Sequence, residues 1–184
     1  MNRNSGGSVS PLGSSHMMTL QPDQKAAFNC FLQQKGEEVF GGDLKVRTYY
    51  RVEKGGQTFF SALYSRVQRR NSYTVSYDRN SARFGCIQIF FQYKSTFLAL
   101  ISKVELAPTN SLLSVPDGAN LEVRNSLERH ARAIGNTFTM AMPCTQTNNL
   151  EVVEVCEVLR KCVLLECGTE GTFLSTIPNF VESD

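Results

Sequence analysis

Two apolar stretches with a two-residue gap between them constrain this chain more than any other feature. Arg83–Tyr93 and Thr96–Glu105 carry Ile, Phe and Leu at both odd and even positions, and only Lys94-Ser95 separates them. A strand sends alternate side chains to opposite faces, so apolar residues of both parities mean a strand covered on both faces. A two-residue gap leaves room for little but an antiparallel hairpin. The fold must therefore be a sheet built around this pair, with material above and below it.

The flanking sequence supplies both. Leu44–Glu53 and Thr58–Val67 read as strands around the turn Lys54-Gly55-Gly56. After the polar break at Arg69-Arg70-Asn71, Asn71–Asp78 alternates cleanly, with Tyr73, Val75 and Tyr77 on one side and Thr74 and Ser76 on the other. Arg79-Asn80-Ser81 reads as the next turn. Thr137–Met142, Val152–Leu159, Lys161–Glu166 and Thr172–Pro178 supply further β elements, broken by Gly168 and Gly171. Helical spacing marks Pro22–Gln34, where Pro22 and Asp23 suit a first turn and Gly36 ends the pattern. A second, more polar helix is predicted over Leu121–Ile134, capped by Asn120 and stopped by Gly135, beyond a long loop at 107–120. Sequential strands joined by tight turns predict a mainly β (α+β) fold: an antiparallel, partly closed barrel-like sheet with an N-terminal helix and one further surface helix.

The chain has 184 residues, which fits one domain. Residues 1–17 are rich in Gly and Ser and poor in core formers, so they are expected to be a disordered tail. Pro11-Leu-Gly-Ser and Ser15-His-Met within it look like protease and cloning scars, so a vector origin is expected. Residues 18–184 are then the single β-rich domain. No apolar run approaches the ~18 residues a membrane span needs, and no secretory signal is visible. The expectation is a soluble, intracellular, nuclear protein without a membrane partner.

Six cysteines, Cys30, Cys86, Cys144, Cys156, Cys162 and Cys167, could form disulfides in a secreted chain. Several sit inside apolar stretches, so buried free thiols are the better reading. From Cys144 onward they are separated by 11, 5 and 4 residues, which lacks the paired knuckles of a zinc site. His16 and His130 are the only histidines. His130 lies on a polar helix pattern, where a solvated face residue is the simpler reading. No Gly-rich phosphate loop is present. No metal, cofactor or catalytic residue is assigned, and a binding module is expected rather than an enzyme. A cysteine-dependent enzyme is the remotest alternative.

The charge is polarised. Residues 43–103 carry 11 Lys+Arg against 3 Asp+Glu, and residues 104–184 carry 5 against 11. The basic half could meet an acidic partner, or the two halves could neutralise each other. Within it, Tyr64–Arg79 sets Arg66, Arg69, Arg70 and Arg79 among Tyr64, Tyr73 and Tyr77. Guanidinium groups pair with phosphates and rings offer stacking surface. Arg66, Arg69, Arg70, Tyr73 and Arg79 are therefore the candidate contacts for DNA, chromatin or a protein partner. The bland alternative is that the tyrosines are core and the arginines solvate a turn. An aromatic cage for a methylated lysine could also draw on Tyr49, Tyr50 or Tyr93.

The blocks Thr58-Phe-Phe-Ser-Ala-Leu-Tyr-Ser-Arg-Val-Gln-Arg-Arg-Asn-Ser-Tyr-Thr-Val, Phe84-Gly-Cys-Ile-Gln-Ile-Phe-Phe, Lys161-Cys-Val-Leu-Leu and Ile177-Pro-Asn-Phe-Val-Glu-Ser-Asp resemble a domain of transposon-derived open reading frames of fish and marine invertebrates. That domain lies near the end of CACTA-type transposase-like proteins. The resemblance spans most of residues 20–184 and implies no active-site residues. Phe84-Gly-Cys-Ile, Phe97–Val104 and Lys161-Cys-Val also follow the order of blocks in bromo-adjacent homology domains, β-barrel modules of chromatin. Together these imply a non-catalytic nucleic-acid- or chromatin-binding module of a mobile-element protein. The alternative is a protein–protein interaction or dimerisation domain using the two charge-opposed halves.

Overall fold

A computed structural model of the chain describes residues 8–65, 73–78, 80–81, 83–107, 141–166 and 171–175. It is mostly β. The elements in chain order are β1 (Val9–Leu12), β2 (His16–Thr19), α1 (Pro22–Gln34), β3 (Lys45–Tyr49), β4 (Arg51–Lys54), β5 (Gln57–Phe60), β6 (Thr74–Tyr77), β7 (Arg83–Tyr93), β8 (Thr96–Leu106) and β9 (Ala141–Glu154). A 3-10 turn (Val155–Glu157) leads into β10 (Val158–Lys161), β11 (Val163–Glu166) and β12 (Thr172–Ser175).

The central hairpin is β7–β8, paired antiparallel from Phe84↔Val104 to Tyr93↔Thr96. Lys94 takes a positive φ of 52° at its tip. From this pair an antiparallel sheet runs in the order β10-β6-β7-β8-β9-β12-β11, while β3 pairs with the far half of β7 and β2 pairs with β3. The two ends of the sheet are one piece of chain. Only Cys162 separates β10 from β11, and its N–H donates to the carbonyl of Thr74 in β6 at 2.8 Å. One continuous segment therefore supplies both ends of the sheet, and the sheet is curled and barrel-like, as the strand pattern predicts. Phe84, Cys86, Val104, Cys144, Cys162, Leu164 and Leu174 come from strands all around the curl and form one buried cluster. They line its interior.

The curl depends on two residues in β7. A Cβ at Gly85 would lie 2.2 Å from Ile101 Cγ2 and 2.7 Å from the Ser102 carbonyl oxygen. Only glycine lets β8 approach this closely. A register shift at Gln88 then turns the strand over. Ile87 and Ile89 would share a face of a regular strand; here Ile87 joins one core cluster and Ile89 another. On the Ile89 side, α1 packs Phe28 and Leu32 against Phe91, Leu98 and Leu100. Its start is fixed by Pro22 and by the backbone N–H of Gln21 donating to the Gln24 side chain at 3.0 Å. On the Ile87 side lies a small antiparallel sheet in the order β1-β4-β5. It turns Val52 and Phe59 inward onto Ile87, Phe90 and Ile101. Gly55 and Gly56, with φ of 58° and 79°, form the primed turn that joins β4 to β5.

Several expectations are corrected. Within the expected tail of residues 1–17, Val9–Leu12 and the start of β2 at His16 are strand rather than disordered, because each finds an open strand edge: β1 on β4, β2 on β3. Leu44–Glu53 is two strands in two sheets, with the chain leaving one for the other at Tyr50. The strand expected over Thr58–Val67 spans only Gln57–Phe60, and the chain then turns at Ala62-Leu63. Thr74 and Ser76 on one side of β6 and Val75 and Tyr77 on the other are all buried, since the curl covers both faces. Met142 and Val152 belong to one long strand, β9. The expected helix at 121–134 lies outside the described residues. Among those described, no helix is long and apolar enough to cross a membrane.

Candidate nucleic-acid interface

The inner face of the small sheet is core, so its outer face is free to do something else. The register places Arg51 of β4 opposite Phe60 of β5. Alternation then turns both away from Val52 and Phe59. Tyr64 follows in the turn after β5. Its ring lies 5.2 Å from that of Phe60, and the Arg51 guanidinium sits 5.0 Å from its centroid. From β10, Lys161 brings its ammonium 5.7 Å over the Phe60 ring. The result is a surface of two half-buried rings with a cation on each, beside the exposed Leu63. It sits at the root of the basic run, since Tyr64 is two residues from Arg66.

The sequence-predicted contacts are distributed unevenly. Arg66, Arg69, Arg70 and Arg79 lie outside the described residues. Tyr73 is half-buried against the cluster inside the curl, and its carbonyl accepts the N–H of Ile87 at 2.8 Å. Tyr77 is core, and its hydroxyl donates to Glu151 at 3.1 Å. Burial, and then the carboxylate of Glu151, push this phenol well above its usual range. Of the three flanking tyrosines, Tyr64 joins the cation–ring surface. Sequence reasoning missed Arg51, Phe60 and Lys161; the β4–β5 turn could have flagged Arg51 with Phe60, whereas Lys161 arrives from far along the chain. Tyr49, Tyr50 and Tyr93 do not share a cage. Tyr49 packs on Phe97, Tyr50 on His16, and Tyr93 on Phe28 and Phe40.

Part of the charge polarity is spent inside the molecule. Glu151 of the acidic half receives Arg83 at 2.8 Å and Lys103 at 3.2 Å. Lys54 donates to the carbonyls of Cys156 and Val158. Lys94 pairs with Glu37 at 2.7 Å. Arg51, Lys45 and Arg47 enter none of these ion pairs, and Lys45 and Arg47 are exposed along β3.

Among the described residues, the thiols whose acidity is shifted are all shifted upward. Cys86, Cys144 and Cys162 are buried, and Cys30 and Cys156 are exposed; all five are free. Burial pushes Cys162 up to about 11. It also raises Cys86 and Cys144, and at Cys156 burial and the neighbouring Glu154 act together. A reactive thiol needs the opposite shift. Among the described residues no group of three or more His, Cys, Asp or Glu is placed to hold a metal ion. No protein-family model, curated protein or solved structure matches the chain.

Proposed function

We propose that the protein is a non-catalytic nucleic-acid- or chromatin-binding module, consistent with the mobile-element resemblance of its sequence. One observation carries this reading: the cation–ring surface of Arg51, Tyr64, Phe60 and Lys161 at the root of the basic segment 66–70. Cations supply sequence-independent attraction to phosphate, and the rings offer faces for bases or sugars. A nuclear location follows from such a role.

The test is fluorescence anisotropy with a labelled random duplex at about 50 and about 200 mM salt. Counterion release predicts a steep fall in affinity with salt. R51E/K161E should weaken binding and flatten the salt slope by about two phosphate contacts. Reversing Arg69 and Arg70 to Glu should do the same. Equal affinity of parent and variants would overturn the reading.

A protein–protein role is favoured by a different observation. Leu159 and Leu165 stand exposed on the segment that joins the sheet ends. A concentration-dependent mass in sedimentation, without DNA affinity, would select that role.

A further inference from the structure

β1 is a poor strand by its own sequence. Val-Ser-Pro-Leu has a proline at its third of four positions, and Pro11 has no N–H to give to a ladder. Gly13-Ser14-Ser15 follows it. Such a segment pairs because of what it meets. What it meets is the edge of β4, in the register Val9↔Lys54, Ser10↔Glu53, Pro11↔Val52 and Leu12↔Arg51. Val9 and Pro11 share the inward face, and Val9 packs against the core cluster that contains Val52 and Phe59. The arm thus covers both the open hydrogen-bonding groups of β4 and the flank of a fully buried valine.

We propose that the β4 edge is a strand-acceptor site for an extended peptide of a partner protein, held in cis here by Val9–Leu12. The site reads an apolar-x-apolar pattern through the positions of Val9 and Pro11, with main-chain bonds supplying sequence-tolerant affinity. A partner is favoured over the arm of a second copy by the tether. Gly13, with φ of 85°, and the two serines are the whole link between β1 and β2. Three residues span at most about 10 Å. Met18 of β2 and Leu20 just after it pack into the α1 cluster. An exchanged arm would have to drag these anchors out with it.

The experiment uses the full chain. V9D/P11D removes both inward contacts of the arm, and S10C/E53C places a disulfide across an outward-facing register pair to lock it. The probe is a labelled peptide of residues 8–13 carrying Val in place of Pro11. In V9D/P11D, the amides of Arg51–Lys54 should exchange faster, and the peptide should bind at least about tenfold more tightly than to the parent, whose own arm competes at high effective concentration. The peptide should re-protect those amides, and the oxidised S10C/E53C chain should not bind it. Unchanged exchange, or fast exchange without peptide binding, would overturn the proposal. So would a doubled mass of V9D/P11D in sedimentation, because a second copy would then be filling the edge.

Discussion

The central hairpin and the small sheet are both antiparallel β, yet they are held in different ways. β7 and β8 pair at Phe84–Ile87 and Ile89–Tyr93, with core clusters on both faces. β1, β4 and β5 pair over four residues each and bury one face. A strand dry on both sides opens only when the molecule unfolds, whereas a short strand dry on one side can open locally. The difference assigns the roles: the hairpin sets stability, and the small sheet is free to carry cations, rings and an exchangeable edge.

The largest effects should therefore come from the hairpin. Phe90→Ala should cost about 3–5 kcal/mol, as for other buried large-to-small changes, read as a lowered urea midpoint. Gly85→Ala adds one methyl where Ile101 and Ser102 leave no room. It should cost about 1–3 kcal/mol by overpacking. A smaller loss than that of a surface alanine control would show that the close approach can relax. In hydrogen exchange, amides of β7 and β8 should report global opening, and those of β1, β4 and β5 should exchange well before them.

Next in size are the thiols. Cys162, held near 11 and buried within the curl, should resist a thiol reagent at pH 8 until the protein unfolds, while exposed Cys30 should label at once. Fast labelling of Cys162 would mean that the segment joining β10 and β11 opens on its own. Smaller still is the pH dependence of the ion pairs. Lys35 holds the Glu154 carboxyl below its ordinary 4.5, and Lys94 does the same to Glu37. Their stabilisation is complete above the unfolded value, near 4.5, and is lost as pH falls through the lowered folded values. Lys35→Met should flatten the acid limb of a Tm-against-pH profile by no more than about 1 kcal/mol, since the pair is half exposed. Smallest of all, R51E/K161E should leave stability within about 0.5 kcal/mol of the parent. A larger loss would mean that the cation–ring surface is structural after all.

The same contrast explains what the sequence could reveal. The hairpin, α1 and the turn at Gly55-Gly56 were legible because their signals are local: apolar parity, helical spacing and a turn dipeptide. β1 was not, because its pairing is a property of the β4 edge rather than of Val-Ser-Pro-Leu. The split at Tyr50 was hidden too, since a strand passing between sheets keeps its alternation. In the candidate site, Tyr64 was visible beside the arginine run, but Lys161 reaches Phe60 only because β10 closes the curl.

That closure by Val158–Glu166 has a consequence for how the protein is made. During synthesis, β6, β7 and β8, which end by Leu106, are made some fifty residues before Val158 begins the segment that will satisfy the edge of β6. Until then a nascent chain carries a bare, apolar strand edge of the kind that invites aggregation. High contact order makes the final step slow, so the thiols and leucines facing the curl's interior spend the longest time exposed to other chains.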